Sequence, residues 1–221
     1  MSPVEDARAL VSERFPDAVW AILAGSVLTA DRTAGSDLDI VVFTADGNYR
    51  ETVRYRGWPV ELFVQNEASL DRFFASEDEA RKPSLRRMIA TGVVVAGDPG
   101  PLPSACASIL AAGPRPLTLG EIDWLRYAVT DLIDDLTHVV DPGERITLTG
   151  TGWVAAGDAA LRLGGSWVGR GKWLLREMRA MDPDLADAWL AAAGHPARVV
   201  DFARRVLEPV GGILYDGYRS Q

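Results

Sequence analysis

Apolar residues recur along this chain with two periods, and the change from one to the other divides it. Val4, Ala7, Leu10 and Val11 fall three or four apart, which predicts an amphipathic helix over residues 4–14. Ala18 to Ala24 is a continuous apolar run of strand length, and Ile40 to Phe43 is a second. Glu51 to Tyr55 alternates, Gly57 marks a turn, and Val60 to Val64 returns as a hairpin partner. Ala68 to Phe74 reads as a short helix. Pro83 suits the first turn of another, which Gly92 ends, and Val93 to Ala96 is one more short strand. Two breakers follow, Gly97-Asp98-Pro99-Gly100-Pro101 and Gly113-Pro114-Arg115-Pro116.

Beyond the second breaker the pattern becomes wholly helical. Ile122, Leu125, Val129, Leu132, Leu136 and Val139 are spaced by three and four, as a bundle helix over 118–140 needs, and Thr118 with Glu121 makes a capping box. Further helices are predicted over 144–163, 171–181, 183–193 and 196–208, the third capped by Asp182 with Pro183 in its first position. The expected architecture is α+β. A mixed sheet with flanking helices occupies 1–112, and a helical bundle occupies 117–221.

Composition excludes several classes. With 48% hydrophobic and 24% charged residues the 221-residue chain is an ordinary globular sequence. A net charge of −8 argues against tracking a long nucleic-acid backbone and suits a small cationic partner. Cys106 stands alone, and His138 and His195 lie far apart, so no zinc-ligand spacing exists. Met1 to Phe15 carries Glu5, Asp6 and Glu13 and lacks the apolar centre of a signal peptide. No apolar run reaches membrane-spanning length. A cytoplasmic protein without membrane contact is expected; its oligomeric state is not legible.

The chemistry gathers in one stretch. Gly25-Ser26 ends the first strand run, and Ser36-Asp37-Leu38-Asp39 heads the second. Side chains at i and i+2 of a strand share a face, so Asp37 and Asp39 stand together, and two carboxylates that close call for a cation. Glu61 is the one charged residue at the centre of Trp58 to Val64. A Gly-Ser turn alone is usually only a turn, and Asp-x-Asp alone usually a cap; the conjunction, in this order, points to a site. It resembles the signature of the nucleotidyltransferases of the DNA polymerase beta superfamily.

That resemblance implies a fold and a chemistry. Asp37, Asp39 and Glu61 would be the catalytic carboxylates and would hold two Mg2+ ions, with Glu61 either a metal ligand or the group that takes the acceptor proton. Gly25 and Ser26 would cradle the phosphates of a nucleoside triphosphate, most simply ATP, whose AMP passes to a hydroxyl of a small acceptor. The helical half resembles that of aminoglycoside nucleotidyltransferases of the streptomycin/spectinomycin kind. By that analogy Lys172, opening a helix after a glycine-rich loop, contacts phosphate. Val27-Leu28-Thr29 after the Gly-Ser turn departs from the Ala-Arg-Gly common in the family.

Other features have two readings. Asp131, Asp134 and Asp135 share a face with His138 and would either meet a cationic acceptor or simply face water. Arg32 would face water or phosphate. Arg81-Lys82-Pro83-Ser84-Leu85-Arg86-Arg87, the densest basic patch, reads as a solvated or ion-paired helix face, with a role at the triphosphate as the alternative. Gly165 to Trp173 looks like a P-loop but has its first glycine out of register and Trp173 in place of Ser or Thr. The rival reading of the whole is a regulatory or antitoxin-like protein that binds nucleotide and acts on a protein partner.

Overall fold

The computed structural model describes residues 2–30 and 32–219. The chain divides into two compact units, one ending at Ala112 and the other beginning at Gly113.

The first unit is built on a five-stranded sheet. Its strands are β1 (Trp20–Ala24), β2 (Leu38–Phe43), β3 (Tyr49–Tyr55), β4 (Trp58–Gln65) and β5 (Val93–Gly97), in the spatial order β3-β4-β2-β1-β5. β2 and β4 run parallel and the other pairs antiparallel, which makes the sheet mixed. Helix α1 (Pro3–Arg14) covers one face, where Ala7, Leu10 and Val11 pack with Leu23, Ile40, Leu62 and Val64. Helices α2 (Glu67–Ala80), α3 (Ser84–Thr91) and α4 (Leu102–Ala112) cover the other. There Leu70, Leu85, Ile89 and Cys106 meet Trp20, Ile22 and Val41. With both faces covered, β1 and most of β2 are buried, which is why their sequences are continuous apolar runs.

The β3-β4 hairpin turns at Arg56 and Gly57, both with positive φ (48° and 88°), the two-residue geometry whose twist suits a hairpin. It is pinned to α1. The buried carboxylate of Asp6 accepts from the Trp58 indole at 3.1 Å and from Arg56 at 3.3 Å, and the Tyr55 hydroxyl donates to Glu13 at 2.7 Å.

Two stretches differ from the sequence expectation. α2 runs on to Ala80 although 75–80 shows no apolar period, because its last turns bury one polar residue, Glu77, rather than a stripe. α4 follows the first breaker directly and buries only Cys106, so it carries no periodic signature either.

The second unit holds α5 (Leu119–His138), α6 (Pro142–Leu163), α7 (Lys172–Met181), α8 (Pro183–Ala192) and α9 (Pro196–Leu207). Leu125, Val129, Ile133, Leu161, Met178, Trp189, Phe202 and Leu207 form its core. The Trp153 and Trp189 rings stack with centroids 4.1 Å apart, and each indole N–H donates to the other residue's carbonyl at 2.8 Å. That satisfies both polar tips inside an apolar layer. α6 ends in a Schellman motif. Gly165, at φ 71°, donates to the Arg162 carbonyl, and Ser166 donates to that of Leu161. The first glycine of the P-loop look-alike therefore stops a helix.

At the start of α5, Thr118 accepts from the Glu121 N–H at 3.2 Å while Glu121 accepts from the Thr118 N–H at 2.8 Å. Arg115, bonded to both Glu121 oxygens, and the Thr118 N–H together hold that carboxyl down to about 2. Thr118→Ala is expected to cost about 1 kcal/mol in urea unfolding, because one end of the reciprocal pair is lost.

Among the described residues no helix is long and apolar enough to cross a membrane.

Candidate active site

Register decides which side chains meet. Asp39 is the in-register partner of Glu61 on β4 and of Ala24 on β1, while Glu61 is opposite Thr52 on β3. In-register residues of paired strands share a face, so Ala24, Asp39, Glu61 and Thr52 form one row across four strands. The next row on that face is Ile22, Val41, Phe63 and Arg50, and the one beyond holds Trp20 and Phe43, whose rings stack at 5.1 Å. The face thus passes from an apolar floor under α2, α3 and α4 to an acidic row at the N-terminal end of β2. Asp37 stands just before that strand, and Asp37, Asp39 and Glu61 are all half-buried.

The Gly25-Ser26 turn closes against this row. Gly25 adopts φ 92°, and a Cβ there would overlap the Asp39 carboxylate. Only glycine lets the backbone leave β1 at that point and come this close. A 3-10 turn over Ser26–Leu28 follows. The Ser26 hydroxyl shares a 2.9 Å hydrogen bond with the buried Ser36 hydroxyl, which also accepts from the Thr33 N–H at 3.0 Å. Ser36 therefore ties the turn to the head of the Asp37 strand. Gly25→Ala is expected to cost about 1–3 kcal/mol of stability, read by urea unfolding, from the forced φ together with the overlap on Asp39.

Two basic residues border the site, and both are exposed. Arg50 donates from Nε at 2.8 Å and from a terminal nitrogen to the same oxygen of Glu61, with its guanidinium 5.0 Å from the centre of the Phe63 ring. Arg32, in the connection between β1 and β2, is exposed to water, and its guanidinium lies over the Trp58 ring at 5.1 Å. Among the described residues no group of three or more His, Cys, Asp or Glu side chains is gathered closely enough to hold a metal ion by itself.

The remaining candidates are placed as follows. Lys172 is the exposed first residue of α7, after Gly171 at φ 53°. Asp131, Asp134 and Asp135 are exposed on α5, and Asp134 engages His138 Nδ1 at 3.2 Å. The basic patch is not a solvated face throughout. Arg81 and Arg86 are buried, with Arg86 paired to Glu77 and Asp78.

The Arg50–Glu61 pair and the Ser26–Ser36 bond are not among the sequence expectations. The Arg50 contact was open to counting, since the turn at 56–57 fixes Tyr55 opposite Trp58 and hence Arg50 opposite Phe63, beside Glu61. Nothing in the sequence pairs Ser36 with Ser26 across an irregular connection.

No protein-family model matches the chain, and no curated protein matches it. A solved structure described as a nucleotidyltransferase-like protein from Exiguobacterium sibiricum 255-15 aligns over 93% of this chain and 74% of its own, at 13% identity and a TM-score of 0.49. At that level the likeness carries no argument about the site.

Proposed function

We propose that the first unit transfers a nucleoside monophosphate, AMP from ATP in the simplest case, to a hydroxyl of a small acceptor. The observation that carries the reading is the row itself. Asp39 and Glu61 are in-register neighbours, with Asp37 two residues before Asp39 and a left-handed glycine seated on the Asp39 carboxylate.

The donor set is compatible with Mg2+. This ion binds through one or two carboxylates and completes its shell with water and substrate phosphate oxygens, so a complete cage of protein ligands is not required beforehand. Asp37 and Asp39 would be its first ligands, with Glu61 joining once released from Arg50. The bound ions would supply charge neutralisation at the phosphate that is transferred. The chain's own contribution is positional. The Gly25-Ser26 turn offers backbone and a hydroxyl to phosphate oxygens at the acidic row, and Ser36 fixes the turn's distance from Asp37. Glu61 is the group at which an acceptor proton would be taken up when it is not a metal ligand.

The test is incubation of the protein with labelled ATP, Mg2+ and a panel of aminoglycosides, lincosamides and other hydroxyl-bearing acceptors. Labelled product together with pyrophosphate supports the reading. Absence of both across the panel, with or without a protein acceptor, overturns it. The pairing of Glu61 with Arg50 favours a second reading, a nucleotide-binding regulator without turnover. In that case calorimetry gives ATP-analogue binding while the same panel yields no product.

A further inference from the structure

The Arg50 guanidinium places its positive charge on the one acid of the row that comes from β4. Both of its contacting nitrogens converge on a single Glu61 oxygen, and stacking on Phe63 fixes the fork in place. The other Glu61 oxygen accepts no hydrogen bond from the described residues. Glu61 is about one-fifth exposed and Arg50 nearly two-thirds, so the pair is reached by water and can be exchanged. Resting on the reading above, we propose that Arg50 is a tethered counter-ion. It holds Glu61 while the site lacks metal, competes with divalent ions for that carboxylate, and swings free when they bind. Arg50 is then a positioning residue acting through Glu61, and it sets how much metal the site requires.

Competition has a sign that a structural role lacks. Removing the guanidinium tightens metal binding, because a ligand is released and a repelling charge is taken away. The measurement is Mn2+ binding by electron paramagnetic resonance in saturating α,β-methylene ATP. The wild type is compared with Arg50→Gln, Arg50→Lys, Glu61→Gln, Asp39→Asn and the Arg50→Gln/Glu61→Gln pair. Arg50→Gln is expected to bind Mn2+ about three to ten times more tightly than wild type, the range open to an exposed but stacked and forked pair. Arg50→Lys, keeping charge without fork or stack, falls between the two. The gain should vanish when Glu61 is already Gln, which isolates the coupling. Equal or weaker Mn2+ binding by Arg50→Gln, with an unchanged melting curve in EDTA, overturns the proposal. If Asp39→Asn and Glu61→Gln themselves leave Mn2+ affinity untouched, the carboxylates hold no metal and the nucleotidyl-transfer reading fails first.

Discussion

On the nucleotidyl-transfer reading proposed above, asparagine in place of Asp39 is expected to leave the protein folded and to lower transfer by about three orders of magnitude. The substitution keeps the size of the side chain, so the close seat of Gly25 on position 39 is preserved. It removes the charge. A divalent ion supplies several kcal/mol of charge stabilisation to a phosphoryl transition state, and each 1.4 kcal/mol or so is a factor of ten in rate. Stability should change little, since asparagine keeps the volume of the side chain and an acceptor oxygen. Transfer of labelled AMP and a circular-dichroism melt, run on the same preparation, separate the two effects. Product formation at the wild-type rate removes Asp39 from the chemistry, whatever happens to the melt.

The part of this site visible in the sequence is the part made by local rules. The strand run that carries Asp39 and the apolar run around Glu61, which marks an acid entering a sheet, follow from period-two alternation, whereas Asp37 stands one residue before β2, where that period does not place its side chain. Capping follows the same logic, and Thr118 with Glu121 and Asp182 with the Leu185 N–H behave as short-range chemistry dictates. What the sequence hides is the choice of partner between distant segments. Arg86 looks like one more cation in a basic run, yet it is buried because α2 brings Glu77 and Asp78 to it. Arg50 lies just outside the strand expected over Glu51 to Tyr55; β3 begins earlier, at Tyr49, and the hairpin register then sets Arg50 against Phe63, beside Glu61. α4 was illegible for a related reason: a helix that buries a single cysteine shows no stripe.

Glu77 carries the other large effect, and its sign runs opposite to that of carboxylates held ionised by an ion pair. The helix α3 starts after Pro83, which offers no side-chain cap, and Glu77 from α2 accepts the Leu85 and Arg86 N–H groups in its place. Glu77→Ala would strand those donors and leave Arg86 with Asp78 and the Phe74 carbonyl alone, at an expected cost of about 3 kcal/mol. The pH dependence follows from burial. Loss of hydration pushes the Glu77 carboxyl up to about 7 from an ordinary 4.5; the two backbone donors and Arg86 oppose the rise, and Asp78 adds to it. Between those values the folded chain holds a proton that the unfolded chain has released. The contribution of Glu77 is therefore complete below about pH 4.5 and is lost as pH climbs through 7. At roughly 1.4 kcal/mol per pH unit, the loss approaches about 3 kcal/mol. Glu77→Gln keeps an acceptor oxygen and cannot ionise, so its urea midpoint should stay level from pH 5 to 8 where that of the wild type falls. Parallel curves for the two proteins would mean that Arg86 and the helix N–H groups hold Glu77 ionised throughout, and that the ion pair outweighs burial at this joint.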